Sequence, residues 1–388
     1  MKGRKAAGLS VLVIIYIITI LNIVHIFRSI DKDVDFASME NVLSSNIAFR
    51  ESFINIYGLF EKVSGVNIID DKENGYIIKQ DNGHLLWVGV TKQIIQETVV
   101  RLDHMLKVRE YLEQQGIDSL YVQTPSKNSA DEMNLPYGVH DYLIEMQDSQ
   151  ISYLREHGMK ILDLREEFAK KGYSLEEVFF KTDHHWKPLY AFYANEIIAD
   201  YMRGLGFLTD EEALDIKNYE VNTYRNWFLG SIGKRVGIYY AGIDDIDLIY
   251  PKFDTLLSFG MGGGKNERKG SFLKSMIEYS DHCNINKKDY FNINQYEAYT
   301  GGNYPFVEIR NFNPVNHKKI MIIKDSMSNT MIPFLALQCE YLTEIDLRYL
   351  TESDMNSMKT YIDEFKPDFI IFSTTLGMEN SIFIEDFE

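Results

Sequence analysis

The chain is 388 residues long, 45% hydrophobic and 25% charged, which supplies enough apolar surface for a sizeable core and excludes a disordered, collagenous or disulfide-dense protein. Its formal net charge is −17. Because Lys2, Arg4, Lys5 and Arg28 stand in a stretch without carboxylates, the residues beyond carry 36 basic against 57 acidic side chains, a surface that repels phosphate backbones and argues against nucleic-acid binding.

Residues 8–27 run almost wholly apolar between the two basic ends. As a helix they span roughly 30 Å, the thickness of bilayer hydrocarbon, so a transmembrane helix is expected. A buried core helix is the plain alternative. No small-x-small cleavage site follows, which favours an uncleaved signal anchor. The cations before the segment, with Asp31, Asp33 and Asp35 after it, predict a cytoplasmic N-terminus at 1–7 and an extracellular remainder on a single-pass cell-membrane anchor.

Residues 28–90 read as a stalk helix and a hairpin. The helix, over 32–62, puts Phe49, Phe53, Ile54 and Tyr57 on one face, and Asp81-Asn82-Gly83 between two apolar runs is hairpin-turn chemistry. From residue 91 onward helices alternate with apolar strands. A helix from Lys92 to Leu112 precedes the strand SLYVQT and the loop Pro125-Ser126-Lys127-Asn128; a helix over 138–156, the strand KILDL and a helix from Leu164 follow. Later come the strand KKIMII, a helix from Ser328 to about Cys339, the strand EIDL, a helix over 353–364 and the strand PDFIIFST. This grammar predicts an α/β domain over 91–388 with a three-layer, doubly wound parallel sheet. The stretch 204–318, rich in Gly, Asn and Tyr, reads as a loop-rich insertion, and the glycines at 262–264 lack the order and following helix of a phosphate loop. Cys283 and Cys339, distant and in unlike contexts, read as structural.

Two stretches could carry chemistry. Thr182-Asp183-His184-His185-Trp186 precedes an amphipathic helix. A capping role would explain Thr182 or Asp183, but a carboxylate two residues from an imidazole can also hold its Nδ1 proton while Nε2 faces a substrate. The second stretch is a strand running into Lys324-Asp325-Ser326 and a helix. A serine there lies at the C-terminal edge of a parallel sheet, where a nucleophile is well placed, although taken alone Asp325, Ser326 or Ser328 is better explained as a helix cap. Asp183, His184 and His185 are all metal-ligand types, yet adjacent histidines in one turn rarely reach one ion, so no metal and no cofactor are expected.

Asp183-His184-His185-Trp186 and the block Lys324-Asp325-Ser326-x-Ser328-Asn329, followed by Glu344-Ile345-Asp346-Leu347-Arg348-Tyr349, resemble the DHHW and alginate O-acetyltransferase-like family of SGNH-hydrolase-like proteins. Weaker echoes are Phe49-Arg50, Phe53-Ile54, Pro125-x-Lys127, Asp163-Leu164-Arg165 and Phe228-Leu229-Gly230-Ser231-Ile232-Gly233. Asp and His precede Ser in the chain, as they do in that family. The resemblance implies Ser326 as nucleophile, His185 as general base and Asp183 as its orienter, with His184 in a packing or hydrogen-bonding role. Gly230 and Asn128 are candidates for the oxyanion hole, Lys127 and Arg348 for substrate contacts. It further implies O-acetyl transfer to a cell-surface or exopolysaccharide glycan through a covalent acyl-enzyme, with the acetyl donor delivered by a multi-pass membrane O-acyltransferase. A carbohydrate esterase or deacetylase using the same triad is the alternative, and a non-catalytic polysaccharide-binding or assembly subunit is a second.

Overall fold

The computed structural model describes residues 13, 16–24, 47–72, 75–89, 92–128, 135–261, 265–351, 357–374 and 387. The chain divides into two compact units, Met1–Gly65 with Val236–Tyr240, and Val66–Arg235 with Ala241–Glu388. In the first, 16–24 and Arg50–Val63 are helical. Residues 1–7, half of 8–27 and the stalk positions 28–46 lie outside the described residues; among those described, no helix is long and apolar enough to cross a membrane.

The second unit opens with strands β1 (Ile68–Asp71), β2 (Gly75–Lys79) and β3 (Leu85–Val88) in a small antiparallel sheet. The β2–β3 turn runs through Asp81, Asn82 and Gly83, where Gly83 takes φ 87°, a conformation that costs a glycine little. Ten strands follow: β4 (Asp118–Gln123), β5 (Ile161–Asp163), β6 (Tyr219–Phe228), β7 (Asp244–Pro251), β8 (Leu257–Met261), β9 (Lys265–Gly270), β10 (Phe306–Asn311), β11 (Lys319–Lys324), β12 (Tyr341–Ile345) and β13 (Phe369–Ser373). Eight of them form the main sheet in the order β5-β4-β13-β11-β12-β10-β8-β9, while β6 and β7 pair separately.

Strands β4, β11 and β13 are buried over nearly their whole length because both faces are covered, which is why they read as unbroken apolar runs. Alternate residues serve opposite cores. Leu120, Val122, Ile320, Ile322, Phe369 and Ile371 meet Phe192, Ile198 and Met202 of helix Pro188–Gly204. Tyr121, Met321, Ile323, Ile370 and Phe372 meet Met105, Val108 and Leu112 of helix Lys92–Gln114, Leu154 of helix Leu143–Glu156 and Ile362 of helix Met358–Phe365. Helix, sheet and helix thus make the three layers expected.

The sheet is nevertheless mixed rather than wholly parallel. Strands β5, β4, β13, β11 and β12 are parallel, but β10, β8 and β9 extend the sheet antiparallel. All three lie within 204–318, where β8 and β9 are joined by the short glycine run, of which 262–264 lie outside the described residues; so short a link permits only an antiparallel neighbour. The helix expected from Ser328 is instead three short turns, Ser326–Thr330, Ile332–Leu335 and Ala336–Gln338. Pro333 has no N–H to continue a longer ladder and sits at the start of the middle turn. Cys283 and Cys339 are buried and free.

Candidate active site

Residues 179–186 form a tight excursion closed by a bridge between Phe179 and Trp186, with the Lys187 N–H on the Val178 carbonyl at 2.8 Å. Trp186 is wholly buried and Pro188 starts the next helix, so the loop is clamped at its base. Its tip is fixed by charge. Asp244 on β7 accepts from the Lys181 N–H (2.9 Å), the Thr182 N–H (2.8 Å) and the Thr182 hydroxyl (2.6 Å). Buried Lys127 donates from Nζ to the carbonyls of Lys181 (2.9 Å) and Asp183 (2.7 Å). Burial pulls the Lys127 ammonium down to about 7, although Asp244 and Asp183 oppose the shift.

Ser326 stands where β11 ends, between the parallel strands β13 and β12. Asp325 caps the turn by accepting the Met327 N–H at 2.9 Å. Ser326 itself begins that turn, a position whose N–H has no acceptor inside the helix and can meet an oxyanion.

The two segments meet. His185 Nε2 lies 3.0 Å from Ser326 Oγ, and Nδ1 lies 2.6 Å from Asp183 Oδ1, which also accepts the His185 N–H at 2.9 Å. Asp183 Oδ2 accepts the Ser231 N–H at 2.5 Å. Burial pushes the Asp183 carboxyl up, but the two neighbouring imidazoles and these hydrogen bonds outweigh it and hold the group well below the usual carboxylate range. With Asp183 ionised, Nδ1 carries the proton and Nε2 is left to accept one from Ser326.

Tyr296, which nothing in the sequence marks, stacks on His185 with ring centres 4.1 Å apart. Its hydroxyl reaches the carbonyls of Ser326 and Met327, each at 3.1 Å, so one side chain braces both His185 and Ser326. Asp244 also escaped notice, and Thr182 was read only as a helix cap, since their effect depends on contacts across more than 45 residues of chain.

The other sequence candidates take distinct places. His184 binds the Ser231 hydroxyl through Nδ1 at 3.0 Å and packs against Trp87, with ring centres 5.2 Å apart. Local desolvation, then His185, lowers it to about 3, so it is neutral at ordinary pH. Replacement by Asn is therefore expected to leave the shape of the pH–rate profile between pH 5 and 9 unchanged, a point that an initial-rate series would check. Asn128 gives its amide to the Trp87 carbonyl (2.6 Å) and to Asp141 (2.5 Å), which engages both of its donors. Arg348 grips Asp346 through Nε (2.9 Å) and Nη2 (2.7 Å).

Gly230 donates its N–H to the Thr182 hydroxyl at 2.8 Å. A Cβ there would fall 2.3 Å from Asp183 Cβ and 2.6 Å from its Oδ2. Gly230→Ala must displace the carboxylate, and a misplacement of that order is expected to lower kcat by about 10²-fold; the ratio of variant to wild-type kcat on an activated acetyl ester tests it.

Asp183, His184 and His185 bring three ligand atoms within 4.8 Å of one another. They fit a metal poorly, because both His185 nitrogens and both Asp183 oxygens are already engaged as described.

An α/β sheet of this order with an Asp–His–Ser relay at its C-terminal edge defines an SGNH-type enzyme. The comparisons agree. Residues 91–226 match the family model described as the SGNH hydrolase-like domain of acetyltransferase AlgX, and residues 166–344 match that of the DHHW proteins. The chain is thus similar to the DHHW and alginate O-acetyltransferase-like proteins. PatB1 of Bacillus cereus has a similar structure, with TM-score 0.61 at 21% identity, over 81% of this chain and 100% of that one. A second PatB1 structure, with a sulfonyl adduct, gives TM-score 0.61 at 20% identity, over 80% and 99%. A DHHW family protein from Eubacterium siraeum gives TM-score 0.57 at 18% identity, over 82% and 98%. No curated protein matches the chain.

Proposed function

We propose that the chain is an O-acetyltransferase that modifies a cell-surface or exopolysaccharide glycan through an acyl-enzyme on Ser326. The observation that carries this reading is the 3.0 Å approach of His185 Nε2 to Ser326 Oγ, with Asp183 on the far nitrogen. Ser326 Oγ attacks the acyl carbon while His185 Nε2 takes its proton, and that proton leaves with the departing group. A sugar hydroxyl then attacks the acyl-serine, giving its proton to His185, which returns it to Ser326. The Ser326 N–H is offered to the oxyanion in both halves.

In this reading residues 8–27 anchor the chain in the cell membrane with the enzyme outside, and a multi-pass O-acyltransferase brings the acetyl group across. The match of residues 91–226 to the AlgX acetyltransferase domain supports the acyl group chosen.

The test is covalent. Sulfonyl fluorides react with activated serine hydroxyls, so phenylmethylsulfonyl fluoride should add one sulfonyl group to the peptide containing Ser326, and excess p-nitrophenyl acetate should protect it. Mass spectrometry of wild type, Ser326→Ala and His185→Ala reads the outcome. A folded chain that takes no label at Ser326 would remove it as nucleophile. If acetyl then passes only to water in the presence of acceptor oligosaccharides, the protein is an esterase instead.

A further inference from the structure

Helix Arg50–Val63 shows its apolar side chains to the outside. Phe49, Ile56, Phe60 and Val63 are 60%, 62%, 67% and 79% exposed, and Phe53 is exposed as well. Phe53, Ile56, Phe60 and Val63 recur at steps of three and four, so at 3.6 residues per turn they stay within about 40° of a single line, and Phe49 stands at the N-cap ahead of them. Gly58 falls on the opposite side. It is the one buried residue of the helix, and a Cβ there would meet the Val236 carbonyl oxygen at 1.9 Å. Beside it, Asn55 accepts the Ile238 N–H at 2.8 Å. The helix therefore leans on 236–240 through its glycine and polar edge and turns its aromatic stripe away. Glu51, Asn55 and Lys62 lie on the glycine side of the turn, together with the half-buried Ile54.

A stripe of Phe, Ile and Val this exposed needs a cover, and the chain points to one. The Ala48 N–H, two residues before the helix, donates to Asn22 Oδ1 at 2.6 Å. Ile17, Ile18 and Leu21 line a groove with Phe49, Ser52 and Phe53 that exposes apolar surface alone. The start of the stripe is thus continuous with the apolar segment 8–27, whose Tyr16, Ile17, Ile20, Leu21 and Ile23 are exposed too.

We infer that helix 50–63 lies in the membrane interface, with Phe49, Phe53, Ile56, Phe60 and Val63 set into the acyl boundary of the bilayer. This rests on the reading that 8–27 enters the membrane. An amphipathic helix whose glycine face rests on its own protein and whose apolar side is open is the form such interfacial helices take. Tyr57, at the edge of the stripe and half exposed, suits the level of the headgroups. The membrane contact is then an anchor followed by an in-plane helix, which fixes the rotation of the chain where it leaves the bilayer.

The full chain, reconstituted in vesicles of phosphatidylcholine and phosphatidylglycerol, carries one nitroxide at a time at I56C, F60C, E51C, K62C or I17C. The native cysteines are buried, and a mock-labelled wild type reports any signal from them. Collision with oxygen, which concentrates in lipid, is compared with collision with a water-soluble nickel chelate. Expected is an oxygen-to-nickel ratio several-fold higher at 56 and 60 than at 51 and 62, with 17 higher still. Nickel access at 56 and 60 equal to that at 51, while 17 stays in lipid, overturns the inference and leaves the anchor standing. Protection at 56 and 60 from both reagents also overturns it, since a second copy then covers the stripe. Nickel access at 17 overturns the anchor reading itself.

Discussion

Asp183→Asn is expected to lower kcat by about 10⁴-fold, the scale on which a catalytic imidazole fails when its tautomer is wrong. The reason lies in three donors. Asp183 receives the His185 N–H, the His185 Nδ1 proton and the Ser231 N–H, and only a group with acceptors on both sides can do so. An asparagine must turn its NH2 toward one of these donors. If it turns toward His185, the imidazole moves its proton to Nε2 and donates to Ser326 instead of accepting from it. If it turns toward Ser231, two N–H groups confront each other in a buried site and the loop must move. Either way the base is lost while the cores on both faces of the sheet remain.

Steady-state rates on p-nitrophenyl acetate, with far-UV circular dichroism as a control for folding, check the expectation; a loss under tenfold would remove Asp183 as the orienter. The pH dependence of stability is a second readout. A carboxyl held below its ordinary value of 3.8 contributes stability that is complete above that value and is lost as pH falls toward the depressed one. The variant should therefore lose less stability between pH 5 and pH 2 than wild type does.

What could be seen in the sequence was local. Asp183, His185 and Ser326 were marked by residue type and spacing and by the resemblance to the DHHW family, and all three lie together although 141 residues separate the last two. The parallel half of the sheet was legible because strands buried on both faces must be apolar throughout, as Ile320–Ile323 and Phe369–Phe372 are. The antiparallel half was not. Its outer strand, KNERKG, is polar along its length and has none of the periodicity that betrays a half-buried strand.

The partners of Lys127, Asn128 and Arg348 were equally hidden, since backbone carbonyls hold Lys127, a backbone carbonyl and Asp141 hold Asn128, and Asp346 holds Arg348, groups that recur throughout an acidic chain. Tyr296 is one of 25 tyrosines, and only the folded structure distinguishes it by laying its ring on His185. Polar residues near a strand end are thus easy to suspect and hard to assign, because burial decides whether they face substrate or hold the loop that does.

Lys324→Met should be the most destabilising single change near the site, by about 3–5 kcal/mol. The side chain is fully buried at the end of β11. Its Nζ meets Glu344 at 2.8 Å and Asn329 Oδ1 at 2.5 Å, and lies 3.8 Å from Asp346, which Arg348 also holds. Two cations thus face two carboxylates. Methionine keeps much of the stem's packing but leaves Glu344 without the charge that opposes its desolvation. Burial already raises the Glu344 carboxyl and Lys324 pulls it back, so in the variant it rises further.

A carboxyl whose folded pKa exceeds its unfolded one binds its proton more tightly in the native state, and stability falls as pH rises between the two values. The deficit of Lys324→Met should accordingly be smaller at pH 5 than at pH 8, as urea midpoints at the two pH values would show. Adding Glu344→Gln should recover much of the loss, because it removes the stranded charge rather than restoring the pair. A deficit below about 1 kcal/mol at pH 8 would mean that water reaches Glu344 once the lysine is gone. If the larger figure holds, the strand end that carries Ser326 is positioned by charges buried beneath it, and kcat should fall in Lys324→Met further than the fraction unfolded explains.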